Sequence, residues 1–511
     1  MKILVPEQLR KLDEKAVSEY GIPSILLMEH AALSLAERIK ELTFAKNIVI
    51  VCGPGNNGGD GLALARLLTG LDRKWSVFLA ASPEKLSEDG KTYYNILKAL
   101  HVELLQMDEM QESLIEERLK EADLIVDALF GTGLSRKIEG KYKEIIEKIN
   151  RSLTYVISVD CPSGIDAETG KVLGRAVKAN ETHTFVAPKL GLYLYPAIDY
   201  TGEVRIVDIG MPQQLVEETS SIYWDINKEE MTNCLPMRYT RSNKGTYGKV
   251  LTIGGQMGMS GAIILASSAA LKVGAGLVTA AVPQCIHAIV ASQLIEVMTL
   301  PLKDREGHFD QEAVLKVSEL ILSKDIVLIG PGLGRTEAAK KLVLQVVTSD
   351  KPCLIDADGL VVLREMLERL KERKSPVILT PHPGEMAALT GLSIEAILEN
   401  PIKVARDFAM KYQVVVVLKT ERTLVVEPQG TVYINTRGNS GMAKGGSGDV
   451  LAGVIAGLMA QGLLPVVSAQ LGVYLHSRGG DLLKKEKTEY TFLPTDLFEG
   501  IQKAFKELIG H

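Results

Sequence analysis

The feature that most constrains this chain is one unit repeated along its length. A short run of β-branched apolar residues ends in a glycine-rich turn, and a helical segment follows. Asn47–Cys52, N-I-V-I-V-C, runs into Gly53-Pro54-Gly55-Asn56-Asn57-Gly58-Gly59-Asp60-Gly61. Continuous apolar runs of this length suit strands buried on both faces, as in a parallel sheet. The spacing predicts strands at Trp75–Ala80, Asp123–Leu129 and Tyr155–Asp160, and again at Lys249–Ile253, Leu277–Val282, Asp325–Ile329, Cys353–Ile355, Val377–Leu379 and Val414–Leu418. Helices are expected at Leu62–Leu71, Ala262–Val273 and Val450–Gln461, and a hairpin at Thr423–Val426 with Thr431–Ile434. The class is therefore α/β, with parallel sheets covered by helices.

At 511 residues the chain has room for more than one such sheet. Periodicity fades over residues 211–236, so a boundary is placed near 212–222, giving domains over 1–215 and 222–511. With 58 basic against 63 acidic residues and no basic block, no nucleic-acid partner is expected. No apolar run approaches the ~20 residues of a membrane span. Five cysteines without metal spacing favour reduced thiols and a cytoplasmic protein.

Ligands of open parallel sheets bind beyond the carboxyl ends of strands. In the first half those ends deliver Asn57, Asp127 and Asp160. Each alone suits a turn or a cap; three at one edge point to a site, and their oxygens suit a hard cation. Gly53, Gly55 and Gly58 satisfy G-x-G-x-x-G, but the strand that follows lacks the acidic residue that would hold a ribose, so an ordinary NAD-dependent dehydrogenase is rejected.

In the second half Asn439–Asp449, N-S-G-M-A-K-G-G-S-G-D, opens a helix. Free N–H groups and the helix dipole attract phosphate there, and Asp449 is placed to take a proton from a hydroxyl. No G-x-x-x-x-G-K-[ST] occurs, so this is not a P-loop NTPase.

Gly446-Ser447-Gly448-Asp449 resembles the G-x-G-D motif of the ribokinase-like fold. Together with Gly254–Gly261, G-P-G-L-G at 330–334 and T-P-H-P-G-E at 380–385, the second half resembles ADP-dependent NAD(P)H-hydrate dehydratases. G-P-G-N-N-G-G-D-G at 53–61, D-A-L-F-G-T-G at 127–133 and D-x-P-S-G at 160–164 resemble NAD(P)H-hydrate epimerases. The whole is similar to the bifunctional NAD(P)H-hydrate repair family.

The resemblance implies a Rossmann-like three-layer domain followed by a ribokinase-like α/β domain. One half would exchange the R and S hydrates of NADH and NADPH. The other would dehydrate the S form, converting ADP to AMP and phosphate. It assigns proton transfer to Asp160 and a K+ ion to Asn57, Asp127 and Ser163. Epimerase substrate contacts would be Asn56, Asn57, Gly58, Gly59, Asp60, Gly131, Thr132, Gly133, Leu134, Ser135, Arg136, Lys137, Tyr142 and Asp160. Hydrate contacts in the second half would be Ala262, Gly332, His382, Pro383, Gly384, Glu385, Met386, Ala387, Ala388 and the base Asp449.

ADP, the co-substrate, would meet Lys419, Thr420, Glu421, Arg422, Thr423, Asn439, Ser440, Gly441, Met442, Ala443, Lys444, Gly445, Gly446, Ser447 and Gly448, with Mg2+ in attendance. Where the wider ribokinase-like pattern has N-x-x-E, this chain has His382-Pro383-Gly384-Glu385. Partners are small molecules, with a homo-oligomer expected. The alternative is a ribokinase-like kinase of a vitamin or sugar alcohol, with a regulatory nucleotide-binding first half.

Overall fold

The computed structural model describes residues 1–510. They form two compact units, one from Lys2 to Tyr223 and one from Trp224 onward that includes Met1.

The first unit is built on a 7-stranded parallel sheet. Its strands are β1 Asn47–Cys52, β2 Lys74–Leu79, β3 Leu104–Gln106, β4 Leu124–Ala128, β5 Tyr155–Val159, β6 Glu181–Phe185 and β7 Glu203–Val207. Their order is β3-β2-β1-β4-β5-β6-β7, and all pairs are parallel. The winding reverses between β1 and β4, which opens a crevice at their carboxyl ends. Ile48 to Cys52 are buried because helices cover both faces.

The helix after β1 is α1, Asn56–Leu68, not Leu62–Leu71. Gly58, Gly59 and Gly61, expected in the turn, are instead in its first turns, and Gly53 just before it is pressed against the strand ends. A Cβ on Gly53 would lie 1.9 Å from the Leu129 carbonyl oxygen, and one on Gly58 1.9 Å from that of Gly53. Close approach of backbones, more than turning, requires glycine here.

Strand β6, E-T-H-T-F, is fully buried although largely polar. Burial alone would raise the Glu181 pKa, but hydrogen bonds from Arg38, His183 and Tyr155 hold it down to about 2.

The strands of the second unit are β8 Lys249–Ile253, β9 Leu277–Pro283, β10 Met298–Leu302, β11 Ile326–Ile329, β12 Cys353–Ile355, β13 Val377–Leu379, β14 Val415–Leu418, β15 Leu424–Val426 and β16 Val432–Ile434. They run in the order β16-β15-β14-β13-β12-β11-β8-β9-β10. Only the pairings of β14 with β15 and β15 with β16 are antiparallel among these. Four helices bear on the site: α2 Ser260–Lys272, α3 Pro383–Thr390, α4 Ser447–Ala460 and α5 Pro465–Glu486. Both α2 and α4 begin two to three residues earlier than their apolar periodicity indicates. Residues Val450 to Ala460 of α4 are all buried, so this helix is the core of the unit. Among the described residues no helix is long and apolar enough to cross a membrane.

Candidate functional site

In the first unit the crevice gathers Asn57, Asp127, Ser163 and Asp160. Asp127 is fully buried at the end of β4. Its Oδ1 accepts from the Ser163 hydroxyl at 2.6 Å, and its Oδ2 from the Ser158 hydroxyl at 2.8 Å and the Ser163 N–H at 2.9 Å. Burial raises its pKa and these donors offset it, and it makes no ion pair among the described residues. The buried Asn57 Nδ2 has no partner. Its Oδ1 lies beside Gly131, where a Cβ would approach to 3.0 Å. A buried carboxylate without an ion-pair partner fits a cation, and the Asn57 Oδ1 and Ser163 Oγ are the further oxygens at these strand ends that could join it.

Asp160 sits just past β5 with φ +63°, the left-handed region. Its Oδ1 lies 2.6 Å from the Lys189 ammonium and accepts from the Phe185 N–H at 3.2 Å. Lys189, 2% exposed, also donates to the Phe185 carbonyl at 2.7 Å. Sequence reasoning passed over Lys189. The available signal was a single lysine inside the apolar run V-A-P-K-L-G-L.

Asp60, buried in α1, has its pKa pushed well above the carboxylate range by burial first and then by Asp160 and Asp13. Asp13, on the helix Pro6–Ser18, is raised to about 6 by desolvation and then by Asp160. Its side chain is nonetheless open to water, which screens much of that repulsion.

Of the other expected substrate contacts, Asn56, Gly133, Ser135, Arg136 and Lys137 are exposed, while Gly58 and Gly59 are buried under the strand ends. Tyr142 meets Phe130 edge-on at 4.9 Å, behind the 131–137 loop. Cys161 is buried and its thiol is pushed far up by that burial, so it is no nucleophile.

In the second unit the carboxyl ends of β12, β13 and β14 face the start of α4. Gly446, at φ +103°, turns the chain into that helix. The N–H groups of Gly445, Gly446, Gly448 and Asp449 donate to no carbonyl among the described residues. Asp449 is the third helical residue; burial first, and then Asp356, raise it to about 7.

Lys419, past β14, lies 2.9 Å from Oδ1 of Asp356 and 3.8 Å from Oε2 of Glu385. Burial would lower its pKa, but Asp356, Glu385 and Asp449 raise it. A Cβ on Gly448 would come within 3.3 Å of the Lys419 ammonium, which places that cation under the helix start. Asp356 is 1% exposed and its Oδ1 also accepts from the Thr380 hydroxyl at 2.7 Å. It was absent from the expected set, although D-A-D-G closes a strand there.

Glu385 accepts from the His382 N–H at 2.8 Å, and His382 Nδ1 from the Gly384 N–H at 3.0 Å, so this pair caps α3. Met386 is buried in the core, while Ala387 and Ala388 are half-buried. Gly332 approaches Ala262: a Cβ there would meet the Ala262 Cβ at 3.4 Å. The Thr420 hydroxyl donates to the Arg422 carbonyl at 2.7 Å, and Arg422 to that of Thr436. Asn439 Oδ1 accepts from the Gly441 N–H at 3.1 Å, capping the turn at Ser440–Met442. The Lys444 ammonium turns away from the helix start onto backbone carbonyls.

A further residue, His476 on α5, lies with Nε2 3.0 Å from the Ser447 carbonyl. Burial lowers its pKa to about 4, so the neutral ring donates there and steadies the glycine loop. Among the described residues no group of three or more His, Cys, Asp or Glu is arranged to hold a metal ion. The three carboxylates of Asp356, Glu385 and Asp449 nonetheless face a single lysine, which leaves an excess of negative charge where a phosphate would arrive. That excess fits a divalent cation carried in by the nucleotide.

Comparison with known proteins bears on both units. Residues 250–503 match the family described as NAD(P)H-hydrate dehydratase, and residues 24–191 the family described as YjeF-related protein N-terminus. The bifunctional NAD(P)H-hydrate repair enzyme Nnr of Moorella thermoacetica is 40% identical, over 99% of this chain and 97% of that protein. The enzyme of the same description from Escherichia coli is 33% identical, over 97% of this chain and 92% of that protein. A crystal structure of the ADP/ATP-dependent NAD(P)H-hydrate dehydratase of Bacillus subtilis, co-crystallised with ATP/Mg2+, is 30% identical with a TM-score of 0.50, covering 56% of this chain and 98% of that one. A ribokinase-like superfamily protein of Enterococcus faecalis is 29% identical, also with a TM-score of 0.50, covering 57% of this chain and 97% of that one.

Proposed function

The chain belongs to the bifunctional NAD(P)H-hydrate repair family, and on that premise we propose how its own residues divide the work. It is an enzyme of two activities. One exchanges the R and S hydrates of NADH and NADPH. The other dehydrates the S hydrate at the expense of ADP, giving AMP and phosphate. The observation that carries the second half is the meeting of Asp449, free helix-start N–H groups and Lys419.

Asp449 takes the proton of the hydrate hydroxyl, whose oxygen then attacks the terminal phosphorus of ADP. AMP leaves. The N–H groups of Gly445, Gly446 and Gly448 hold the phosphoryl oxygens as charge grows on them. Lys419, fixed by Asp356, supplies positive charge at the same place. The phosphorylated oxygen departs as phosphate, a ring proton is lost, and the dihydropyridine double bond returns. A Mg2+ ion bound with the nucleotide would neutralise phosphate charge, with Asp356 and Glu385 as the acids that would hold it. The hydrate would lie along Ala262, Gly332 and His382–Ala388.

In the first half Asp160 moves a proton at the hydrated ring carbon, and Lys189 holds the carboxylate aimed. Asn57, Asp127 and Ser163 would hold K+, which would supply fixed positive charge at the strand ends for an anionic dinucleotide. Asn56–Asp60 and the 131–137 loop would frame the substrate. A kinase of a vitamin or sugar alcohol would leave the Asp160–Lys189 pair without a task, and no observation favours it.

The test mixes both hydrate epimers with ADP and follows NADH absorbance. Complete conversion is expected. In the Asp160→Ala variant conversion should stop at the S fraction, after allowance for uncatalysed exchange. Complete conversion by that variant at the wild-type rate would remove the proton-transfer assignment.

A further inference from the structure

Two lysines border the glycine-rich start of α4, and they are held in opposite ways. Lys419 is buried, among acids, directly beneath Gly448. Lys444 is on the loop itself, where a phosphate-binding lysine would be sought. Yet its ammonium donates to the carbonyl oxygens of Glu489 at 3.3 Å, Tyr490 at 3.1 Å and Phe492 at 2.5 Å. It also lies over the Phe492 ring, 4.9 Å from its centre. An ammonium has three N–H donors, and all three are occupied.

The carbonyls belong to the segment that joins α5 to the last helix, Leu497–Ile509. That segment is fitted to the glycine loop. A Cβ on Gly441 would strike the Phe492 ring at 2.4 Å, and one on Gly446 would meet Pro494 at 3.3 Å. Its far end is pinned by Lys487 to Asp496 at 2.7 Å, and Asp496 in turn accepts from the Leu493 N–H at 2.7 Å. Phe492 is 1% exposed while Tyr490 is 91% exposed, so the segment is a strap with one buried anchor and one bare tip.

We propose that Lys444 is a positioning residue that fastens this strap across the glycine loop, and that Lys419 alone is the cation for the nucleotide phosphates. The inference rests on the reading of Asn439–Gly448 as the ADP site and reassigns one member of it. Three carbonyls and an aromatic face satisfy Lys444 without a ligand. Moving it to a phosphate would strip three backbone oxygens of their donor and release the strap. Lys419, by contrast, has a single hydrogen bond among the described residues, to Asp356 at 2.9 Å, which leaves donors for a ligand at the helix start under Gly448. The fastening lends the loop a fixed shape before ADP arrives, which lowers the ordering cost of binding and of transfer.

The experiment measures ADP binding by calorimetry at several salt concentrations for the full chain and for Lys419→Met, Lys444→Met and Lys444→Gln. Chymotrypsin cleavage after Tyr490 is followed in parallel. Loss of Lys419 should weaken ADP about tenfold or more and flatten the salt dependence by roughly one charge. The Lys444 variants should keep the wild-type salt slope, lose kcat more than ADP affinity, and be cut after Tyr490 several-fold faster. A Lys444 variant whose salt slope flattens as Lys419→Met does, or whose cleavage rate is that of wild type, overturns the proposal. If the wild type binds no ADP, the underlying reading of the site fails, and the cleavage rates alone then decide whether Lys444 fastens the strap.

Discussion

The Lys189 ammonium and the Asp160 carboxylate meet at 2.6 Å at the carboxyl edge of the first sheet, on a backbone turned to φ +63° at Asp160. A left-handed, non-glycine residue costs on the order of 1–3 kcal/mol and persists where surrounding contacts fix it. Here the contacts from Lys189 and the Phe185 N–H to its side chain, and its own N–H to the His183 carbonyl at 2.7 Å, do so. Lys189→Met should therefore slow the exchange of hydrate epimers by about a hundredfold or more, the usual scale of acid–base catalysis. Dehydration of purified S hydrate should be unchanged. Chromatographic separation of the epimers over time gives both rates, and exchange at the wild-type rate would sink the role given to Lys189.

Asp449 has its pKa raised to about 7 from 3.8. A base must be deprotonated, so dehydration should rise with pH through about 7 and level above it. The stability sign is opposite. The folded chain holds this proton more tightly than the unfolded chain, so the contribution is full below about 4 and is lost as pH rises through about 7. Asp449→Asn should be inactive in dehydration yet unfold at a higher temperature than wild type at pH 8, with a smaller gap at pH 5. Calorimetric scans at the two pH values check the sign.

Much of this arrangement was legible in the sequence because glycine-rich strand ends carry their own signal. The order of apolar runs gave the α/β class, and G-G-S-G-D marked the helix start. Asp160 and Asp449 were legible because a carboxylate closing an apolar strand or opening a helix stands out. Lys189 and Asp356 did not, since their meaning lies in partners 29 and 63 residues away. His476 was hidden for the same reason, in an α5 helix whose partner Ser447 is 29 residues upstream. Glycines 53 and 58 misled on the start of α1, because close packing and turning call for the same residue type.

Asp127 is buried with four hydrogen bonds and no ion pair among the described residues. If K+ completes this group, it should stabilise the first unit by mass action. Raising KCl against choline chloride at constant ionic strength should lift its melting temperature by about 2–4 °C for each ~1 kcal/mol of binding. Asp127→Asn should abolish the difference. Equal melting of the wild type in the two salts would leave the cation reading without support.

Two glycines separate packing from binding. At Gly53 an added Cβ would lie 1.9 Å from the Leu129 carbonyl oxygen, which is backbone and cannot retreat. At Gly448 the nearest atom is the flexible end of Lys419, at 3.3 Å, inside a helix where alanine is favoured. Gly53→Ala should destabilise the first unit by about 3 kcal/mol or more, the upper range for overpacking, while ADP binding by the second unit persists. Gly448→Ala should do the reverse. The methyl group displaces the cation and crowds the phosphate, so ADP affinity should fall about tenfold, ~1.4 kcal/mol, with melting near that of wild type. Denaturant unfolding and ADP titration on the two variants decide it, and loss of stability without loss of affinity in Gly448→Ala would show that this glycine serves packing.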